Sequence, residues 1–295
     1  MTEIDLHIHT EASQDGELSP REIFRSAKTL GLRAIAFCDH DSVGSVDAGV
    51  ALSREFGLDF APAVELTTRF EGFDPHLLGY FVDWRAARLV ETLAWVGTKL
   101  MEQARARAAR MRELGFHIDF DDVLAACGGR NPATAAILQA LKANPKNRDN
   151  PLLRPYISGD RADSPFYNIY RDYFYPGRPA FVELETLTTP EAIALVHDVG
   201  GVAVIAHPGR TPATLVDGLL EAGLDGVEVY CTTHSADDVR HYEGYVREHR
   251  LVATAGSDFH GPAVKPDIRL GQLERGDHGM FTTLRELAAG RGDVR

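Results

Sequence analysis

Two hydrophobic periods alternate along the first eighty residues. Residues 3–9 place Ile4, Leu6 and Ile8 on one face and Asp5, His7 and His9 on the other, the period-two pattern of a strand. Ser19, Pro20 and Glu22 then spell a helix start, with a serine cap, a proline in the first turn and a glutamate closing a capping box. Ile23, Ala27 and Leu30 follow at helical spacing, and Gly31 is the stop. Residues 33–38 read as a short buried strand, 46–56 as a helix and 58–64 as the next strand. Repeated units of this kind predict a parallel sheet covered by helices on its outer face. After Tyr80 the pattern changes. Residues 85–114 read as one long amphipathic helix with Gly97 as a point of interruption, and shorter helices follow over 120–126 and 132–142. Residues 144–165, rich in Pro, Asn, Asp and Arg, read as a structureless run, either a solvated surface loop or a functional one. Strands return at 179–184, 202–206, 226–230 and 251–256, with a helix opening at Thr189, Pro190 and Glu191. The simplest architecture is an α/β chain in which a β/α barrel, residues 1–88 and 179–295, is split by a mostly helical insertion over 89–178.

Composition narrows the function classes. With 295 residues and 44% apolar content, a sizeable core is available. The formal net charge of −12 excludes a duplex-DNA binder that relies on a broad basic face. A small nucleotide remains open, because bound cations reverse the field locally. Cys38, Cys127 and Cys231 are far apart and odd in number, which suits a reducing compartment and gives no disulfide framework. The N-terminus carries no basic and apolar leader pattern, and no apolar stretch reaches membrane length. The expectation is a cytoplasmic protein with no membrane partner.

The candidate chemistry lies where the expected strands end. His7 and His9 share a strand face, so both imidazoles can converge on one cation. Asp15 follows in the adjoining loop. Asp39, His40 and Asp41 follow the second strand, Glu65 follows the third, His76 precedes an apolar run, His207 closes residues 202–206, and Asp258 and His260 close the last strong strand. In a β/α barrel these positions fall on one rim, where such barrels build their sites. Each residue alone is more often a surface or core residue than a ligand; their shared placement is what carries the reading. Mixed imidazole and carboxylate donors suit Mn²⁺, Fe²⁺ or Zn²⁺ better than Mg²⁺ or Ca²⁺.

The order and spelling of Asp5-Leu6-His7-Ile8-His9-Thr10, Asp39-His40-Asp41-Ser42, Val64-Glu65, His76-Leu77-Leu78-Gly79-Tyr80, Ala206-His207-Pro208-Gly209-Arg210 and Gly256-Ser257-Asp258-Phe259-His260 resemble the PHP (polymerase and histidinol phosphatase) family of metal-dependent phosphoesterases. The resemblance implies a distorted (β/α)7-type barrel and three divalent transition-metal cations, with Mn favoured. It assigns His7, His9, Glu65 and Asp258 to one cation, Glu65, His76 and His207 to a second across a bridging Glu65, and Asp15, His40 and His260 to a third. The family's common spelling puts the loop aspartate one residue nearer the second histidine than Asp15 stands here. Catalysis would be attack on phosphorus by a metal-bound hydroxide, with Glu65 central and His234 or a metal assisting the leaving oxygen. Asp5, Asp39 and Asp41 are candidates for orienting imidazoles, and Asp5 equally for a core residue satisfied by backbone.

Substrate-side candidates are Arg130, Arg210, His234 and, more weakly, Arg178, each set against the alternative of an ordinary exposed charge. The family often follows the Arg130 position with Pro-His, whereas Asn131, Pro132 and Ala133 stand here. The resemblance to stand-alone members that act on nucleotides implies a small phosphorylated substrate, foremost removal of the 3′-phosphate from a nucleoside 3′,5′-bisphosphate. Alternatives are 5′–3′ trimming of short RNA, a histidinol-phosphate or other small-metabolite phosphatase, a non-catalytic metal-binding module, and an amidohydrolase-type C–N hydrolase.

Overall fold

The structure, a computed structural model, describes residues 2–210 and 212–292, apart from the side chains of Arg210 and Ala213. The chain forms two compact units, Met1–Leu93 with Thr186–Arg295, and Ala94–Glu185.

In the first unit β1 (Ile4–Ile8), β2 (Ala34–Phe37) and β3 (Asp59–Arg69) run parallel, joined through α1 (Pro20–Leu30) and α2 (Val46–Phe56). The local signals act as the sequence indicates: Ser19 and Glu22 close a capping box, and Gly31 ends α1 in the left-handed region at φ 75°. The β1–β2 register slips between Asp5 and Ile8, an irregularity of the kind that re-aims side chains beside a site.

β4 (His76–Tyr80) breaks the expected all-parallel sheet. It pairs antiparallel with β3, Glu65 opposite Leu78. Only residues 70–75 separate the two strands, far fewer than the dozen or so a parallel crossover takes, so the chain has to turn straight back. The two-residue β5 (Leu187–Thr188) pairs with β3 off the main path. β6 (Val202–Ile205) lies antiparallel to β4, and β7 (Gly226–Cys231) and β8 (Val252–Gly256) continue in parallel. The path β1-β2-β3-β4-β6-β7-β8 nearly closes on itself. Beyond β8, Asp258 N–H donates to His7 O at 2.9 Å and His9 N–H to Phe259 O at 2.8 Å. The result is the distorted barrel, with Leu6, Leu78, Val204 and Val227 in its core.

In the second unit the helix Ala87–Glu113, which begins in the first unit, runs through Gly97 without a break. A Cβ at Gly97 would stand 3.0 Å from Asn131 Oδ1, so the glycine permits a close approach there. Ala108, Met111, Val123, Ile137 and Leu141 form a core of their own. Residues 144–165 are not structureless. They contain the turn Pro145–Asn147 and the helix Arg154–Ser158. Buried Asn147 donates to His117 O at 2.7 Å and Leu141 O at 2.9 Å, and Leu153 and Tyr156 are buried. No strand forms over residues 179–184. Two of their carbonyls accept from side chains instead: Gln103 donates to Val182 O at 2.8 Å, and Arg110 donates to Phe181 O.

Barrel closure makes Gly256 a packing requirement, since a Cβ there would lie 2.1 Å from His7 Cβ and 2.8 Å from His7 N. Neither atom is a flexible end. Gly256→Ala is expected to lower stability by about 2 kcal/mol or more through overpacking, read by urea denaturation; an unchanged midpoint would show that β1 and β8 can part without cost.

Candidate metal centre

The parallel strands deliver their C-terminal ends to one rim, and the loops beyond them carry Asp15, His40, His207, Asp258 and His260. His76 begins its strand rather than ending it. Because β4 is antiparallel, that start lies on the same rim, opposite Thr67 of β3. Glu65 does not follow its strand, as the sequence pattern suggests, but sits inside β3, which runs on to Arg69 to pair with β4. Three non-glycine residues at the rim adopt positive φ: Asp41 at 47°, His207 at 31° and Asp258 at 59°. Backbone strain of this kind clusters where side chains must be aimed.

Glu65 has no exposure and stands at the centre. Its Oε1 is 2.9 Å from His76 Nδ1 and 3.2 Å from His207 Nε2. Its Oε2 is 3.2 Å from both His7 Nε2 and His9 Nε2, and 3.1 Å from His40 Nδ1. Asp258 Oδ1 lies 3.3 Å from His9 Nε2 and 3.5 Å from His260 Nδ1. Asp15 Oδ2 is 3.4 Å from His260 Nε2 and 3.6 Å from His40 Nε2. Four overlapping sets have ligand atoms mutually within 4.8 Å: His9, Asp15, His40 and His260; His7, Glu65 and His207; His7, His9 and Asp258; and His40, Glu65 and His76. All nine ligand-type residues of the sequence analysis come together, including Asp15 across its longer loop. The grouping is less partitioned than the resemblance implies, with His7, His9, His40 and Glu65 each shared between sets.

The electrostatics of the cluster are those of a crowded, dry donor set. For Glu65, burial opposes ionisation, but the imidazoles of His40, His7 and His76 outweigh it and hold the carboxyl well below the usual range. Asp15 and Asp258 are held low in the same way, Asp15 by His260 and His40, and Asp258 by Lys265 and His260. His7 is raised well above its ordinary value because Glu228 and Glu65 overcome its burial, and His9 is raised to about 9 by Asp258 and Glu65 against burial. His40, by contrast, is pushed down to about 3, chiefly by burial. Glu65 Oε2 and His40 Nδ1 have no hydrogen-bond partner despite their 3.1 Å separation. His7 Nε2 and His9 Nε2 face each other at 3.1 Å. Buried atoms left without a hydrogen-bond partner, as Glu65 Oε2 and His40 Nδ1 are, are costly, and divalent cations beside them would remove that cost. The donor set therefore fits a metal centre.

Around the cluster, the sequence reading needs correction. Asp39 and Asp41 do not touch imidazoles, and Asp5 takes the core alternative, a buried carboxylate satisfied by backbone. Asp39 accepts from Thr10 N–H, Thr10 Oγ1 and Ser45 Oγ; Asp41 accepts from Thr67; Asp5 accepts from the backbone of His7, Ser257 and Gly271. They pin the loops that carry the donors. Imidazole contacts come from residues the sequence reading passed over. Glu228 on β7 accepts from His7 Nδ1 at 3.0 Å, and Ser13 Oγ stands 3.3 Å from His9 Nδ1 while donating to Asp15 at 2.8 Å. Lys265 Nζ donates to Asp258 Oδ2 at 2.5 Å. A polar residue at an inward strand position is the one sequence signal that points to Glu228; nothing local marks Lys265.

The expected proton donor His234 is also corrected. Its Nδ1 lies 2.9 Å from Val229 O, and its Nε2 accepts the Gly209 N–H at 3.0 Å. One ring nitrogen serves the backbone of β7 and the other the loop after His207, leaving none to protonate a leaving oxygen. The side chain of Arg210 lies outside the described residues. Arg130 and Arg178 belong to the second unit, where Arg130 Nε donates to Cys127 O at 3.1 Å and Arg178 N–H to Tyr175 O at 2.9 Å.

Comparison with known proteins agrees with the geometry. Residues 5–114 match the family model described as PHP domain. A 3′,5′-nucleoside bisphosphate phosphatase of Chromobacterium violaceum is 29% identical over 89% of this chain and 88% of the relative. A 5′-3′ exoribonuclease of Haemophilus influenzae is 30% identical over 88% of this chain and 90% of the relative. Among solved structures, one described as an amidohydrolase from Chromobacterium violaceum, with bound sulfate and no metal, superimposes with a TM-score of 0.80 at 28% identity, covering 98% of this chain and 96% of that one. Among the described residues no helix is long and apolar enough to cross a membrane. The chain belongs to the PHP family and is a metal-dependent phosphoesterase, a hydrolase of phosphoric ester bonds.

Proposed function

We propose that the chain removes the 3′-phosphate from nucleoside 3′,5′-bisphosphates and works with three divalent transition-metal cations, Mn²⁺ favoured over Fe²⁺ or Zn²⁺. The observation that carries this reading is the convergence of nine imidazole and carboxylate side chains on one rim around Glu65; similarity to the Chromobacterium violaceum phosphatase supports the choice of ester. His7, His9, Glu65 and Asp258 would hold one cation, Glu65, His76 and His207 a second, and Asp15, His40 and His260 the third. Such cations, when bound, supply Lewis-acid activation of water and neutralise charge on the phosphate. The chain's own residues do the rest. Glu65 turns one oxygen to His76 and His207 and the other to His7, His9 and His40, so a single carboxylate serves two positions. His7, His9 and Glu65 form a floor with no exposure, whereas the side chains of His76, His207 and Lys265 are 28%, 26% and 35% exposed. Substrate therefore approaches from the His76, His207 and Lys265 side, where the Lys265 ammonium meets a phosphate oxygen. Arg130, Arg178 and Arg210 remain candidates for further phosphate or base contacts.

A second reading is stepwise 5′–3′ hydrolysis of short RNA, favoured by the 30% identity to the Haemophilus influenzae exoribonuclease. Both readings use the same cluster and differ in what lies beyond the attacked phosphate.

The direct test is phosphate release by Mn²⁺-loaded protein over a panel of nucleoside 3′,5′-bisphosphates, short RNA, histidinol phosphate and sugar phosphates. The bisphosphates are expected to show the highest kcat/KM, and Glu65→Ala to lower it at least about 100-fold. Preference for RNA or histidinol phosphate would replace the proposed substrate, and ammonia release in place of phosphate would return the C–N hydrolase. Lys265→Met is expected to raise KM, and the inhibition constant of inorganic phosphate, by roughly tenfold, as loss of a charge-assisted contact does, with metal content unchanged; phosphate inhibition equal to wild type would remove Lys265 from the substrate side. Metal loading is expected to be pH-dependent. In the metal-free protein His9 titrates at about 9 and His7 is also raised, so both carry an extra proton at pH 7, whereas His40, at about 3, does not. Cations bind the neutral ring, so uptake at pH 7 must expel protons and affinity must climb as pH rises toward 9. A pH-stat titration of stripped protein checks this, and uptake without proton release would contradict it.

A further inference from the structure

Glu228 is fully buried in the middle of β7. The β7–β8 register slips between Glu228 and Tyr230, an irregularity of the kind that turns a side chain out of the regular pleat. Its two oxygens have different partners. Oε1 lies 3.0 Å from His7 Nδ1 on β1, and Oε2 accepts the backbone N–H of His207, just beyond β6, at 2.8 Å. Gly256 keeps the space between β1 and β7 open, since a Cβ there would stand 2.5 Å from Glu228 Oε1.

Donor and acceptor chemistry then restricts His7. An ionised carboxylate only accepts, so the ring nitrogen facing it must carry a proton. In the neutral imidazole the lone pair is then on Nε2. His7 Nε2 is the atom that faces the cluster, 3.2 Å from Glu65 Oε2 and 3.6 Å from Asp258 Oδ1. The second oxygen acts on the main chain. His207 has φ 31°, an uncommon region for a residue with a side chain, and its N–H is directed at Glu228. Its Nε2 in turn faces Glu65 Oε1 at 3.2 Å.

We propose that Glu228 is a positioning residue for the metal centre: it holds His7 as the Nδ1–H tautomer with the Nε2 lone pair facing the cluster, and it fixes the backbone that aims His207, so that the two cations that His7 and His207 would help to hold on either side of Glu65 meet preset donors. This rests on the reading that the cluster binds cations. Nothing about Glu228 places it in contact with substrate, so its effect is on how tightly and how many cations are held.

Glu228→Gln is the discriminating variant because it keeps shape and volume. A carboxamide has one oxygen, so it can accept from His7 Nδ1–H or from the His207 N–H, and it presents an N–H₂ to the other. Stripped wild-type and Glu228→Gln proteins would be titrated with Mn²⁺ and Zn²⁺ by calorimetry, with metal content measured after dialysis. In parallel, ¹⁵N-histidine spectra of the stripped proteins at a pH above the His7 titration would report the ring tautomer. Expected for Glu228→Gln are a native circular-dichroism spectrum, roughly 10–100-fold weaker binding of one cation, and a loss or mixing of the Nδ1–H signal of His7. Glu228→Ala should show the same changes more strongly, or fail to fold; the glutamine variant decides the matter either way. Wild-type affinity and an unchanged His7 tautomer in Glu228→Gln would overturn the proposal alone. A wild-type protein that takes up no cation would overturn the metal reading, and this proposal with it.

Discussion

Glu65 places a negative charge where water cannot reach it, and the nitrogens of five histidines from four separate stretches of chain close around its two oxygens. Burying a carboxylate is expensive unless positive charge or donated protons accompany it. The histidines provide that compensation, but they crowd one another: the rings of His9 and His260 stack at 3.8 Å, and those of His9 and His40 are 4.6 Å apart. Protonating all of them would replace one penalty with another. Part of the set is accordingly driven toward the charged form, His7 and His9, and part away from it, His40 and His260. Divalent cations bound to neutral rings would satisfy the carboxylates and the nitrogens together, which is why a site built this way suits metal chemistry.

That requirement explains features of the fold that look irregular by themselves. The ends of β1, β2, β6 and β8 and the start of β4 have to meet at one level. A purely parallel sheet would put the start of β4 at the opposite rim; the tight return after β3 reverses it and brings His76 to Glu65. Register slips beside His7 and Glu228, and positive φ at Asp41, His207 and Asp258, fall on the same rim. Asp39, with Thr10 and Ser45, and Asp5, with Ser257 and Gly271, hold the loops through backbone and hydroxyl donors. The cluster is thus supported by a polar layer in which most side chains grip the main chain and few grip the rings.

Local chemistry in the sequence was legible where one stretch of chain decides the outcome. The Ser19–Glu22 box and Gly31 bound α1, and the alternation of Ile4, Leu6 and Ile8 marks β1. Where side chains from distant segments decide, the pattern misled. Residues 179–184 look like a strand, but Gln103 and Arg110 take two of their carbonyls. Residues 144–165 look unstructured, but Asn147 anchors them from inside. Glu65 looks like a residue after a strand because the polar Thr67 and Thr68 hide the continuation of β3. His234 looks like a free imidazole until Val229 and Gly209 are found to occupy both of its nitrogens.

By itself the sequence determined the inventory: which residues carry donor atoms, that they lie in or beside strand-like segments, and that their order and spelling are those of the PHP family. Those are properties of short motifs, and short motifs are written in consecutive residues. Only the tertiary structure decided which donors share a point in space, that β4 runs backwards to deliver His76, that Asp39 and Asp41 brace loops and not rings, and that Glu228, 221 residues from His7, is the carboxylate that faces its Nδ1. The physical reason is reach. A hydrogen bond or a ligand contact acts over about 3 Å, and segments separated by most of the chain come within that distance only when the barrel closes.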